Sequence, residues 1–248
     1  MKPNKIKAIR LEALNEPPKL ALISRPTPAL GEISMRVSAC GLNFADLLMC
    51  EGRYQVHPDL PATLGMELSG IVDALGDGVG SLQTGQRIAA YAGIGGLAEY
   101  ACVPADRCLA IPDAMPFEEA AGFLVAYGTS HLALDYKARL QPGETLLVLG
   151  AASGVGLTAV EIGKIMGARV IACARGAGKL DAAKKAGADH LIDATTQDIR
   201  EAALALGGAD VVYDAVGGDH FRAAFRATRP GGRILIIGFA SGDVPEIR

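Results

Sequence analysis

No two cysteines in this chain have the C-x-x-C spacing of a metal knuckle or a redox pair. The five that are present, Cys40, Cys50, Cys102, Cys108 and Cys173, are odd in number. Each stands beside apolar residues, which reads as buried free thiols and not as a disulfide framework. The four histidines, His57, His131, His190 and His220, are scattered, with no H-E-x-x-H and no Cys/His cluster. A zinc site therefore has no support in the sequence, and the expected metal content is none. No apolar run reaches the roughly 20 residues of a membrane-spanning helix. The first residues, MKPNKIKAIRLEAL, lack the apolar core of a signal peptide and read as a first strand. A strong net charge is also missing: −3 offers no bulk attraction to nucleic acid or to an anionic membrane. There is no internal repeat and no low-complexity tail. The expectation is a soluble, cytoplasmic protein without nucleic-acid or membrane partners.

What is present is a core. Half of the 248 residues are hydrophobic, enough for one large or two modest domains. The most informative stretch is residues 144–193. Thr145–Leu149 is a short apolar run rich in branched residues, fit for a buried strand. Gly150-Ala-Ala-Ser-Gly-Val-Gly156 follows at once. Leu157, Val160, Ile162 and Ile165 then recur at roughly helical spacing up to the stop at Gly167, and residues 169–173 close a β-turn-α-β unit. This is the frame of a dinucleotide-binding half-fold, in which glycines let backbone approach a pyrophosphate and a helix N-terminus faces its charge. Against G-x-G-x-x-G, Gly156 takes the last glycine slot, and Ala151 and Ser153 occupy the first two. The rival phosphate-loop pattern fails because no Gly-Lys-Ser/Thr follows.

About 20 residues past such a turn, an NAD site places an Asp or Glu on the ribose 2′-hydroxyl. Here the chain reads Cys173-Ala174-Arg175-Gly176-Ala177-Gly178-Lys179, with no acid and two cations. Arg175 and Lys179 would attract a 2′-phosphate, which favours NADPH over NADH. The bland alternative is a solvated basic loop.

The first 110 or so residues are rich in turns and short apolar runs (6–11, 33–38 and 71–75), interrupted by one helical island at residues 43–50. Pro116-Phe-Glu-Glu begins a helix, with proline early and acids in the first turn. Residues 126–137 form another. Beyond Thr145, strands are expected at 146–149, 170–173, 190–192, 211–214 and 234–237. The helices between them are expected at 154–166, 179–186, 197–206 and 219–228. The strands are near-continuous apolar runs, as in a buried parallel sheet. A sixth strand would have to fit into residues 238–248, which contain Gly242 and Pro245, so five are expected. The fold class is α/β, with a boundary expected between residues 1–124 and 125–248.

Five further segments carry a family likeness. They are Cys40-Gly-Leu-Asn-Phe-Ala-Asp-Leu-Leu, Pro61-Ala-Thr-Leu-Gly-Met-Glu-Leu-Ser-Gly-Ile-Val, Gly95-Gly-Leu-Ala-Glu-Tyr, Ala209-Asp-Val-Val-Tyr-Asp-Ala-Val-Gly-Gly and Arg229-Pro-Gly-Gly-Arg-Ile-Leu-Ile-Ile-Gly. In order, across essentially the whole chain, they resemble the quinone oxidoreductase, zeta-crystallin-like, branch of the medium-chain dehydrogenase/reductase superfamily. The resemblance implies a GroES-like β-rich catalytic domain, then a Rossmann doubly wound sheet lacking its last strand, with a cofactor cleft between them. Zinc-dependent relatives carry a Cys where Asn43 falls and a His where Met66 falls. Family members run beyond the position of Arg248, into the strand that pairs their homodimers; on this likeness the dimer strand is expected to be missing here. Ala194 stands where many relatives carry a Tyr on the 2′-phosphate side.

The implied reaction is hydride transfer from NADPH to a small-molecule quinone or related enone. Asn43, beside the nicotinamide ribose, and Tyr54, at the substrate mouth, are the candidate catalytic residues. A helix N-cap and a loop aromatic are their structural alternatives. Candidate cofactor contacts are Asn43, Thr129, Ser153, Gly154, Val155, Gly156, Ala174, Arg175, Lys179, Val216, Gly217, Gly238 and Phe239. Asp46 is expected to serve the first helical turn and Glu67 a local partner. Two alternatives stay open: a non-catalytic NADPH-binding protein, and an enoyl-thioester reductase on the same scaffold.

Overall fold

The computed structural model describes residues 4–246 of the chain. They divide into two compact units, Met1–Val125 and Ala126–Arg248.

The first unit is built from short antiparallel strands. β1 (Lys5–Leu11), β2 (Lys19–Ser24) and β3 (Glu32–Gly41) precede the helix α1 (Phe44–Cys50). β4 (Ala62–Thr63), β5 (Glu67–Leu75), β6 (Arg87–Tyr91), β7 (Tyr100–Pro104) and β8 (Cys108–Ala110) follow, and α2 (Phe117–Ala121) completes the set. One sheet has the order β7-β3-β5-β6-β8 and a smaller one β2-β1-β4. Alternate residues of the larger sheet, including Ile33, Met35, Leu68, Val72 and Ile88, form its core. A separate cluster of Leu11, Met49, Leu64 and Met66 seats α1.

α3 (Phe123–His131) comes next and widens into a π-helical turn over Leu132–Lys137. Ala138 N–H there donates to the Ala133 carbonyl, five residues back. The regular helix expected at 126–137 is therefore only partly realised.

In the second unit β9 (Thr145–Leu149), α4 (Gly154–Ile165), β10 (Arg169–Ala174), α5 (Ala177–Lys185), β11 (His190–Asp193), α6 (Ile199–Ala205), β12 (Ala209–Asp214), α7 (Gly218–Ala227) and β13 (Thr228–Ile236) alternate. All five strands are parallel, in the order β11-β10-β9-β12-β13. This is the Rossmann-type order 3-2-1-4-5 read from the first strand of the unit. Leu146, Leu147, Val148 and Leu149 are all fully buried, because helices cover both faces. Leu146 and Val148 pack with Val160 and Ala159 on one side. Leu147 and Leu149 pack with Ile199, Ala203 and Ala224 on the other. Each such side chain contributes on the order of 1.5–3 kcal/mol by leaving water.

β13 departs from expectation. It pairs with β12 from Thr228, where a helix end was expected, and the register breaks between Ala209 and Val211. Pro230 and Gly231, the latter at φ +80°, bulge out before Arg233 rejoins the ladder opposite Val211. Arg233 then ties the strand down. Its Nη1 and Nη2 donate to Glu144 Oε1 at 2.6 Å and Oε2 at 2.7 Å, and its Nε to the Ala138 carbonyl at 2.9 Å.

The hydrogen bonds from Arg233 hold the Glu144 carboxyl below its ordinary value. A depressed carboxyl stabilises the fold above its unfolded pKa and loses that contribution as pH falls through the lower folded pKa. Arg233→Ala is therefore expected to lower the melting temperature at neutral pH, with the deficit shrinking as pH falls below about 4.5. Thermal melts of both proteins between pH 3 and 8 measure it, and a deficit independent of pH would count against the pairing.

Candidate functional site

The second unit has a cavity of about 420 Å³ at the carboxyl ends of β9, β10 and β12, the place where open parallel sheets bind ligands. Its floor is the turn into α4. Gly150 leaves β9 at φ +70°, in the left-handed region, where an added Cβ would also meet Val216 at 3.0 Å. Ser153 caps α4: its Oγ accepts the Gly156 N–H at 3.1 Å. The next N–H groups, of Gly154 and Val155, belong to the first helical turn and have no intrahelical acceptor. They add to the positive end of the helix dipole. At Gly156 a Cβ would stand 2.2 Å from the Gly150 carbonyl oxygen, so only glycine allows α4 to cross the turn this closely.

One wall is the end of β10. Ala174, Arg175 and Lys179 line it. Among the described residues, no acid is hydrogen-bonded or ion-paired with the side chain of Arg175 or Lys179. The nearby acid Asp193 is already engaged, accepting from Gly176 N–H at 3.0 Å and Thr195 N–H at 2.9 Å. Cys173 also lines the cavity; burial, and then Asp193, push its thiol up to about 12, so it stays neutral.

The other wall follows β12. Asp214 is buried, and its Oδ1 accepts the Val216 and Gly217 N–H groups at 2.8 and 2.9 Å. Ser241 N–H donates to the Val216 carbonyl at 2.9 Å, laying the turn after β13 over this loop.

Of the candidate cofactor residues, the cavity brings together Ser153, Ala174, Arg175, Lys179 and Val216. Gly154, Val155 and Gly156 lie behind Ser153 in the first turn of α4. Gly217, at φ +75°, packs against Phe239, with Gly238 adjoining; these three flank the cavity without lining it. Thr129 is on α3, beside Ser130, whose Oγ lies 2.8 Å from both Thr158 Oγ1 and Tyr213 OH in a buried hydroxyl network. Sequence reasoning passed over Gly150, His220, Ala240 and Ser241, which also line the cavity. Their signal was position: each lies within a few residues of the carboxyl end of a sheet strand.

Asn43 and Tyr54 belong to the first unit. Asn43 precedes α1, and its backbone N–H donates to Asp46 Oδ2 at 2.9 Å. Its side chain does something else: Nδ2 donates to Glu67 Oε1 at 2.9 Å. Asp46 also takes the Gly65 N–H, while burial raises its carboxyl against these bonds. Tyr54 packs on the Leu11–Met49–Leu64–Met66 cluster. Its phenol is raised by burial and then by Tyr91 and Asp46, so it remains a donor. Cys40, pushed up to about 12 by burial, Asp46 and Glu67, is a neutral thiol. Cys40, Cys50 and Cys102 are half-buried, less enclosed than expected.

Zinc does not fit here. Asn43 spends its amide on Glu67, and Met66 is 3% exposed within an apolar cluster. Neither is a zinc donor. Among the described residues no group of three His, Cys, Asp or Glu could hold a metal ion, and no helix is long and apolar enough to cross a membrane.

A β-rich unit followed by a parallel sheet with a basic cavity at its switch point defines the medium-chain dehydrogenase/reductase class. A family model described as "Alcohol dehydrogenase GroES-like domain" matches residues 29–113, and one described as "Zinc-binding dehydrogenase" matches residues 154–247. The quinone oxidoreductase-like protein 2 homolog of Nematostella vectensis is 40% identical over 228 residues, 89% of this chain and 62% of that protein. The quinone oxidoreductase of Thermus thermophilus, solved also in complex with NADPH, is 36% identical with a TM-score of 0.85, covering 96% of this chain and 75% of that one. A mycobacterial protein solved with NADPH is 30% identical with a TM-score of 0.92, covering 98% and 76%. The chain belongs to the zinc-independent, quinone oxidoreductase-like branch of that superfamily. It spans 62–63% of the length of the quinone oxidoreductase-like protein 2 relatives.

Gly156→Ala is expected to destabilise the second unit by about 1–3 kcal/mol, the usual cost of overpacking. Chemical denaturation monitored by circular dichroism measures it; an unchanged midpoint would mean that α4 does not need this close crossing.

Proposed function

We propose that this chain is an NADPH-dependent, zinc-independent oxidoreductase that reduces a quinone or a related α,β-unsaturated carbonyl. One observation carries the cofactor reading: Arg175 and Lys179 line the same cavity as the capped start of α4, and no described acid engages them. A 2′-phosphate would meet the two cations, and the pyrophosphate would meet the N–H groups of Gly154 and Val155. Gly156 permits that approach. The family supports the reading, since two solved relatives were determined with NADPH.

When bound, the cofactor supplies a hydride from the nicotinamide ring. The chain's part is to bind, orient and polarise. Val216, Gly217, Gly238 and Phe239, at the carboxyl ends of β12 and β13, and Thr129 are the proposed nicotinamide-side contacts. Asn43 is proposed to meet the ribose and substrate through its amide, and Tyr54 to donate a hydrogen bond from its phenol to the acceptor oxygen as negative charge gathers there. A protonated phenol suits that role.

The deciding experiment is a titration of the chain with NADPH and NADH, read by nicotinamide fluorescence. NADPH is expected to bind at least tenfold more tightly, a difference of about 1.4 kcal/mol. Arg175→Ala combined with Lys179→Ala is expected to erase that preference while leaving NADH binding unchanged. Equal affinity in the wild-type chain would overturn the assignment.

Turnover with a panel of quinones then tests the reaction. Tyr54→Phe is expected to lower kcat about 10- to 100-fold with little effect on NADPH affinity, as befits loss of one donor to a developing oxyanion. Tight NADPH binding without turnover on any acceptor would favour a binding protein over an enzyme.

A further inference from the structure

Glu67 is buried, with 2% of its surface exposed. Each of its oxygens has a protein donor. Oε1 accepts from Asn43 Nδ2 at 2.9 Å and Oε2 from the Val125 backbone N–H at 2.9 Å. Val125 is the third residue of α3, so its N–H is one of the helix-start donors with no intrahelical acceptor. The dipole of that helix favours an anion at this end. Gly41 lies against the same carboxylate: a Cβ there would meet Glu67 Cγ and Oε1 at 2.8 Å and the Ala121 carbonyl at 2.5 Å. Glu67 is thus wedged between a glycine of β3, the start of α3 and the side chain of Asn43.

Both oxygens of Glu67 accept hydrogen bonds, Oε1 from the Asn43 NH2. Asn43 must therefore turn its NH2 toward Glu67, which leaves its carbonyl oxygen, Oδ1, facing away. We propose that Glu67 is a positioning residue that sets the polarity of Asn43, so that this half-buried amide presents an acceptor oxygen and one N–H to a ligand. This rests on the reading that Asn43 meets cofactor or substrate. It assigns the kind of group Asn43 takes: a hydroxyl or amide that donates, such as a ribose hydroxyl, bound to Oδ1.

A nearly isosteric change separates polarity from packing. In Glu67→Gln, the new amide oxygen is needed by Val125 N–H, so the new NH2 faces Asn43. Asn43 then has to flip, giving its Oδ1 to that NH2 and turning its own NH2 outward. The exchanged pair, Asn43→Asp with Glu67→Gln, restores an outward acceptor: one oxygen of the introduced carboxylate accepts from the introduced amide and the other faces the ligand. The total charge of the pair is conserved.

The test uses the full chain in these three forms. NADPH affinity, quinone turnover, melting temperature and the side-chain NH2 signals of Asn43 in nitrogen-15 spectra are recorded. In the wild-type chain one Asn43 amide proton is expected to be protected from exchange by Glu67. E67Q is expected to remove that protection and to weaken NADPH affinity or kcat about tenfold, with melting close to wild type. The exchanged pair is expected to recover most of the loss, which a purely structural role for Glu67 does not predict. Unchanged Asn43 signals in E67Q overturn the proposal, and so does a changed signal with wild-type affinity and turnover. If the wild-type chain binds no NADPH, the cofactor reading fails by itself, and the Asn43 signals alone decide whether Glu67 sets the amide.

Discussion

The second unit depends on one close approach, that of α4 to the turn that leaves β9. A single hydrogen at Gly156 faces the Gly150 carbonyl, where a methyl group would stand at 2.2 Å. Once the helix lies this low, Ser153 reaches its cap position, and the first-turn N–H groups point past the end of the sheet. Thr158, one turn further on, bonds the carbonyls of Ala126 and Val155 and joins the buried Ser130–Tyr213 pair. The helix is therefore fastened to α3 and β12 as well as to β9. The direction of its dipole follows from that fastening and needs no ligand to establish it.

Charge around the cavity obeys a simple division. The acids near it are engaged by the protein itself: Asp193 by Gly176 and Thr195, Asp214 by Val216 and Gly217. The cations Arg175 and Lys179 have no such engagement among the described acids. An uncommitted guanidinium keeps all its donors for whatever arrives. Helix N-terminus and basic wall both favour an anion in the same 420 Å³.

Much of this was legible in the sequence, and the reason is local. The five strands of the parallel sheet are short, near-continuous apolar runs because both faces are covered, and such runs need no partner to be recognised. The third glycine slot was legible because its steric demand lies within one turn of chain. What stayed hidden involves residues far apart in sequence. The sequence reads Asn43 as a catalytic and cofactor residue, with a helix cap as the structural alternative; in the structure it stands at the N-cap of α1, where Asp46 accepts from its backbone N–H, and its side chain reaches Glu67, 24 residues on. The start of β13 was hidden for another reason. Thr228 continues the helical pattern of α7, but pairing with Ala209 overrides it, and the excess residues are expelled as the Pro230–Gly231 bulge.

The first unit poses the opposite electrostatic problem. Asp46 and Glu67 are both buried, and neither is ion-paired with a cation among the described residues; they are held instead by the N–H groups of Asn43, Gly65 and Val125 and by the Asn43 amide. Two carboxylates held in this way repel further negative charge, which is one reason Cys40 beside them keeps its proton. On the proposed function, the same field disfavours an anionic reactant at Asn43 and favours a neutral one. The proposed carbonyl acceptor would meet that demand, and the negative charge growing on its oxygen would need the phenol more than the ground state did. Interactions that strengthen as the reaction proceeds are the ones that accelerate it.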